Sequence, residues 1–219
     1  MPRLLFEKTG NGVYISHLDL MRLFQRAFKR GGLRLKHTQG FTPRALVSIA
    51  LPLSVGVESV CELLDYELDE QTLPHEEIVS RLNATLPEGI RVCTSYDDGL
   101  KLKQLIYLRC TLTLEYDQGI PDGAVEGITA LFHRESLCVE KKGKNGPVLQ
   151  DIIPMLSLLS VEPDGAQELR ICATVCAQNP TLNPQQLLTA IDQELPQYKP
   201  NFAKIRREEV LCADMRVFR

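Results

Sequence analysis

The chain has 219 residues, 44% of them hydrophobic and 24% charged. That is enough for one large domain or two of about 100 residues, with apolar material for a packed core and too much of it for wholesale disorder. No apolar run approaches the roughly 20 residues that span a bilayer, and the opening MPRLLFEKTGNG turns polar too soon for a signal peptide, so the sequence predicts a cytoplasmic protein without a membrane partner. A net charge of −3, taken whole, argues against a dedicated nucleic-acid binder. Its distribution argues the other way. Leu20 to Val57 holds no acidic residue and carries Arg22, Arg26, Lys29, Arg30, Arg34, Lys36 and Arg44, a local charge of +7 against −10 for the remainder.

In chain order, RLLFEK (residues 3–8) reads as a strand closed by the turn signal Gly10-Asn11-Gly12, and Val13-Tyr14-Ile15 as a short extended piece. Ser16 is a good N-cap for a helix whose apolar positions Leu20, Leu23, Phe24, Ala27 and Phe28 follow the spacing of one buried face. Gly31-Gly32 stops it. LRLKH reads as a second strand, TQGFTPR (38–44) as a loop, ALVSIALPL as an extended segment placed at an edge or strand end by Pro52, and VCELLDYEL (60–68) as another strand. Pro74 opens a second helix, with Glu76 and Glu77 complementing its dipole, and IRVCTSY closes the first half. The order is β-α-β-β-α-β, the ferredoxin-like split βαβ arrangement.

The second half repeats that order. LIYLRCTLTLEY (105–116) is a strand, residues 122–133 a helix weakened by Gly123 and Gly127, and LCVEKK a strand ending in the turn GKNGP. MLSLLSVEP and ELRICATVCA flank the hairpin signal Asp164-Gly165, a helix follows Pro184, and AKIRREEVLCA is the last strand. The second helices of the halves, LPHEEIVSRLNATLP and NPQQLLTAIDQELP, each open on a proline and end in Leu-Pro, offset by 110 residues at the start and 109 at the end. The expectation is therefore an α+β protein of tandem ferredoxin-like modules with antiparallel sheets, 1–100 and 105–219, linked by Leu100 to Gln104.

Cys61, Cys93, Cys110, Cys138, Cys172, Cys176 and Cys212 are odd in number, form no CxxC pair and lie almost entirely in apolar or alternating runs. They read as small buried hydrophobes in a reducing compartment, with neither disulfide nor metal expected. Cys172 and Cys176 share one face of a strand by their even spacing.

Three sets of residues invite a functional reading. Arg22, Arg26, Lys29 and Arg30 form a stripe opposite the buried face of the first helix, no acidic residue follows Asp19 on that helix, and Arg34, Lys36 and Arg44 come soon after. A solvated helix face has the same pattern, but so much uncompensated charge in one unit suits phosphate contacts. Phe41 is an apolar residue in the polar loop QGFTPR, where Gly40 permits a tight turn and Pro43 stiffens the chain. It either stacks on a base or docks a partner, or plugs the loop from beneath. His17 and His37 are candidates for acid–base chemistry in RNA cleavage, with Asp19 and Gln39 near them in sequence, although Ser16, His17 and Asp19 equally cap the helix. No serine–histidine–acid triad, Walker loop or zincin motif is visible; Gly143, Lys144 and Gly146 belong to a hairpin turn. An RNA recognition motif of the βαββαβ type is set aside because ALVSIALPL carries no aromatics.

RLLFEKTGNGVYISHLDLMRLFQRAFKRGGLRLKHTQGFTP, followed by VSIALPLSVGVES, resembles the start of the radical-SAM-linked protein family, an uncharacterised bacterial family found beside, or fused to, cobalamin-binding radical S-adenosylmethionine (SAM) proteins. The segments F-E-K-x-G, S-H-L-D-L-M-R, Q-G-F-x-P and A-L-P-L-S-x-G-V-E-S carry the resemblance, which is strong over residues 3–70. In that family the loop tends to continue Gly-Phe-Asn-Pro-His-Pro-Lys before Ile-Ser. Here Thr42 follows Phe41, and Arg44-Ala45-Leu46-Val47 precede Ser48, so the second proline and the lysine have no counterpart. The resemblance implies a bacterial protein working with a radical SAM enzyme as partner. CxxxCxxC is absent, so no cluster and no other cofactor is expected on this chain. The leading expectation is a non-catalytic module that binds structured RNA through Arg22, Arg26, Lys29, Arg30, Arg34, Lys36, Phe41 and Arg44. The alternatives are a metal-independent RNA endonuclease using His17 or His37, by fold analogy with CRISPR repeat-processing enzymes, and a pure protein-interaction subunit.

Overall fold

The computed structural model describes residues 1–69, 72–143 and 146–219. The chain divides into two compact units, Met1–Leu102 with Arg219, and Lys103–Phe218. No helix among the described residues is long and apolar enough to cross a membrane.

The first unit runs β1 (Arg3–Lys8), α1 (His17–Arg30), β2 (Val47–Ala50), β3 (Glu58–Tyr66), α2 (His75–Asn83) and β4 (Ile90–Tyr96). Its strands lie in the order β4-β1-β3-β2 with every neighbouring pair antiparallel. Leu4 and Phe6 of β1, Leu64 and Tyr66 of β3, and Ile90 and Val92 of β4 alternate onto one face, as the two-residue period of a strand requires. Leu20, Phe24, Ala27 and Phe28 of α1 and Ile78 and Leu82 of α2 pack against that face. Phe24 meets Phe6 edge-on at 4.7 Å between ring centroids, and Phe28 tilts against Tyr66 at 5.2 Å, geometries that suit the ring quadrupole. At the sheet margin the Arg3 guanidinium donates to both Asp65 oxygens, at 2.6 and 3.2 Å.

The predicted strand LRLKH does not form. Residues 34–37 make only two isolated bridges, Leu35 to Leu68 and His37 to Ala45. Lys36 N–H donates to the Glu67 carbonyl and Asp69 N–H to that of Arg34, so the segment is held at single points before the chain turns outward, too briefly to build a ladder. The extended piece expected at Val13 is instead a 3-10 turn, Gly10–Tyr14. The buried Lys8 ammonium (2.9 Å) and the Gly56 N–H (2.9 Å) both donate to the Val13 carbonyl and fold the turn inward. Burial lowers the Lys8 pKa.

The second unit runs β5 (Tyr107–Glu115), α3 (Ala124–Phe132), β6 (Cys138–Gly143), β7 (Gly146–Asp151), β8 (Leu156–Pro163), β9 (Glu168–Cys176), α4 (Gln185–Glu194) and β10 (Phe202–Leu211). β10, β5, β9 and β8 lie in that order, each pair antiparallel, and β6 pairs with β7 as a separate hairpin. The sequence reading had no strand at β7. The tip expected for that turn, Lys144 and Asn145, lies outside the described residues. Gly127, read as a weakness of α3, is a packing requirement: a Cβ there would run into the Tyr198 ring.

Cys61, Cys110 and Cys212 are buried, Cys172 and Cys176 half-buried, and Cys93 and Cys138 exposed. The last two depart from the expected burial because each points outward from its strand. Burial pushes the Cys110 thiol up to about 12, so it behaves as an apolar group.

Phe24 has no exposed surface, and Phe24→Ala is expected to cost about 3–5 kcal/mol in chemical denaturation. Gly89 has φ +86°, and an added Cβ would sit 2.5 Å from the Thr9 carbonyl oxygen and 2.6 Å from the Gly12 nitrogen. Gly89→Ala is therefore expected to cost roughly 1–3 kcal/mol in the same measurement, whereas Gly165→Ala, also at positive φ but with no atom near the added Cβ, should cost less.

Candidate nucleic-acid interface

The buried face of α1 sets where its cations point. Ser16 caps the helix: its hydroxyl accepts from the Asp19 N–H at 3.3 Å and donates to the Asp19 carboxylate at 2.7 Å. Asp19 also receives Arg22 at 3.0 Å. The Ser16 hydroxyl first, and Arg22 after it, hold the Asp19 carboxyl below its usual range. Arg22 is thus partly neutralised. Arg26, Lys29 and Arg30 are exposed and form no ion pair among the described residues. Lys29 and Arg30 lie in the last turn, where positive charge complements the helix dipole.

This cationic crest has a groove on each flank. On the side of α2, Arg22, Arg26 and Arg30 line a cavity of about 620 Å³ with Asp19, Leu23, Leu86 and Pro87. The three guanidinium groups come from positions four residues apart, a rise of about 6 Å each. On the other side, Lys29, Arg34 and His37 line a cavity of about 570 Å³ with Gln25, Phe28 and Leu35. The predicted stripe is therefore divided, with Lys29 serving one groove and the arginines the other.

The loop at residues 38–44 is a closed arm. Thr38 N–H donates to the Arg44 carbonyl at 2.8 Å, and Arg44 N–H to the Thr38 hydroxyl at 3.0 Å, beside the His37–Ala45 bridge. Phe41 at its tip is fully exposed. It does not plug the loop. Arg44 is exposed at the arm's base. Lys36 is bound to Glu67 at 2.5 Å, and that hydrogen bond raises the Lys36 pKa, so this cation is the least available of the set.

The two candidate histidines stay apart. His17 is the first residue of α1, and His37 lines the groove beside Lys29, twelve residues further along the helix, or about 18 Å of axial rise. His37 Nδ1 donates to the Leu35 carbonyl at 2.9 Å.

Sequence reasoning overlooked His75. Its Nδ1 lies 2.8 Å from the Ser95 hydroxyl and its Nε2 3.1 Å from Asp97, while the Tyr66 hydroxyl lies 2.8 Å from the same serine. Serine, histidine and acid thus stand in series, with His75 and Ser95 20 positions apart in sequence. No local spacing signals that meeting. Ser95 is only 5% exposed, and its hydroxyl is shared between Tyr66 and His75. The arrangement is a tie between the start of α2 and the end of β4, not an activated nucleophile. Burial raises the Tyr66 pKa and keeps its phenol protonated.

No curated protein sequence matches the chain. Among solved structures it is similar to a chain of a Cbf5-Nop10-Gar1 complex, at 11% identity and a TM-score of 0.51, over 95% of this chain and 48% of that one. At that identity the likeness concerns the fold alone, and this chain spans about half the length of the other. A family described as an uncharacterized protein conserved in bacteria (DUF2344) matches residues 2–184, nearly all of the first unit and the second up to the residue before α4. The chain belongs to that bacterial family.

Proposed function

We propose that this protein is a non-catalytic accessory module that binds structured RNA through the crest of α1 and the 38–44 arm, and that it serves a radical SAM enzyme in the bacterial cytoplasm. On this reading each unit is a ferredoxin-like split-βαβ module. The shared strand order, β4-β1-β3-β2 and β10-β5-β9-β8, supports it.

The observation that carries the proposal is the crest itself. Arg26, Lys29 and Arg30 stand exposed and unpaired among the described residues, between two grooves, in a molecule whose net charge is −3. An acidic whole repels a polyanion at long range, so any attraction is confined to this face. Cations one helical turn apart along Arg22, Arg26 and Arg30 suit a linear run of phosphates, which give position and affinity rather than sequence readout. The separation of His17 from His37 gives no support to a paired acid–base mechanism. The exposed Phe41 supports a second reading, a protein-docking subunit, because an isolated aromatic on a braced arm is a typical interface anchor.

Arg26→Gln with Arg30→Gln is expected to weaken binding to a structured RNA and to lower the slope of log affinity against log salt by about one unit per lost phosphate contact. The melting transition should be retained, since both side chains lie away from the core. Phe41→Ala should weaken binding with little change in slope, because stacking releases no counterions. His17→Ala should leave binding unchanged and the RNA intact. Unchanged affinity and slope in the double variant would reduce the crest to a solvated helix face. Absence of binding at low salt would leave the docking subunit as the better reading.

A further inference from the structure

Asp19 stands inside the arginine groove. It precedes Arg22 by three residues, and Arg26 and Arg30 follow at steps of four, so the four side chains share one flank of α1 and line the same cavity. The facing wall, Thr85 to Pro87, carries no charge. The Thr85 hydroxyl is turned to two carbonyls, of Leu82 at 2.9 Å and Ala27 at 3.3 Å, so its proton is already committed. Asp19 is thus the one acidic group among the described residues that line this groove. It is held there twice: one carboxylate oxygen accepts from the Ser16 hydroxyl at 2.7 Å and the other from Arg22 at 3.0 Å. These contacts, Ser16 first, hold its carboxyl below the usual range and keep it ionised through neutral pH.

Resting on the RNA reading above, we infer that Asp19 is an autoinhibitory group in this groove: it occupies Arg22 in the place of a phosphate and ends the path of a bound polyanion at Arg26. The helix supplies the distances. Asp19 precedes Arg26 by seven residues and Arg30 by eleven, axial rises of about 10 and 16 Å, against a Debye length of about 8 Å at physiological ionic strength. Its charge therefore opposes an anion at Arg22, acts weakly at Arg26 and is screened at Arg30. A phosphate that takes Arg22 has to displace the carboxylate and then sit beside it, because the Ser16 hydroxyl keeps Asp19 in the first turn of the helix. Of the three arginines in the groove, Arg26 and Arg30 are accordingly the working contacts. Arg22 joins them only when Asp19 lets go. The inference depends on charge and position alone, so it concerns how the groove is filled and not which base is read.

The test measures binding of a short RNA hairpin to the full chain as salt is varied, with poly-L-glutamate as a second polyanion. Arg26→Gln should lower the slope of log affinity against log salt by about one unit, and Arg22→Gln by much less. Asp19→Asn, which keeps an oxygen to accept from Ser16, should raise affinity about three- to fivefold, on the scale of one exposed ion pair. It should also steepen the slope by about one unit, as Arg22 becomes available. Adding Arg22→Gln to Asp19→Asn should cancel both gains. Glu76→Gln removes the same charge at an exposed position outside both grooves and should leave the slope as it was. Thermal melting verifies the fold of each variant, and the comparison of Arg22→Gln with Arg26→Gln remains decisive if Asp19→Asn is not tolerated. Equal losses of slope from those two variants, or no steepening in a folded Asp19→Asn protein, overturn the autoinhibitory role while leaving the RNA reading in place. The same dependence on Asp19 and Arg22 with poly-L-glutamate, but no RNA binding at low salt, upholds the role and overturns the RNA reading. Failure of both polyanions to bind overturns both.

Discussion

The seating of α1 on its sheet governs everything proposed for this molecule. Phe24 against Phe6 and Phe28 against Tyr66 are wholly buried aromatic pairs, and burying each such side chain contributes about 1.5–3 kcal/mol. A helix is rigid, so fixing the azimuth of these two residues fixes the azimuth of every other. Rolling α1 to move its cations would expose Phe24 or Phe28. The direction of Arg26, Lys29 and Arg30 is thus a consequence of the core, and the grooves on either flank are the spaces left where the helix meets α2 on one side and the arm on the other.

The same core residue links this helix to the rest of its unit. Tyr66 packs on Phe28 with its ring and reaches Ser95 with its hydroxyl, and Ser95 in turn holds His75 at the start of α2. The polar end of a buried aromatic finds its partner, and that partner locates the second helix. Two stretches distant in sequence converge similarly on the Val13 carbonyl, through Lys8 and Gly56. Those contacts shape the entry to α1.

Charge is distributed so that one face differs from the remainder. The segment from Leu20 to Val57 carries +7 and the rest of the chain −10. Local pairing trims the positive face unevenly: Asp19 takes Arg22, and Glu67 takes Lys36. Arg26, Lys29 and Arg30, which form no ion pair among the described residues, lie on the last two turns of α1, and Lys29 borders the groove that Gln25, Arg34 and His37 also line.

Much of this was legible in the sequence, and the boundary of what was legible is physical. The 3.6-residue spacing of Leu20, Phe24, Ala27 and Phe28 determined the buried face of α1, and with it the exposure of the cationic stripe, because helix periodicity is a local property. The alternation in β1, β3 and β4 and the proline-opened helices α2 and α4 were equally local. LRLKH failed as a strand because its pairing depends on what Glu67 to Asp69 offer, which no window around residue 35 contains. Phe41 was ambiguous for the same reason: only the bridge from His37 to Ala45 and the Thr38–Arg44 hydrogen bonds decide that the arm projects and its tip stays bare. The division of the crest between two grooves, and the Tyr66–Ser95–His75–Asp97 series, join residues distant in sequence. Composition and spacing determined which residues carry charge and which are buried; the tertiary structure alone decided which of them stand together, since proximity across elements is set by packing rather than by order along the chain.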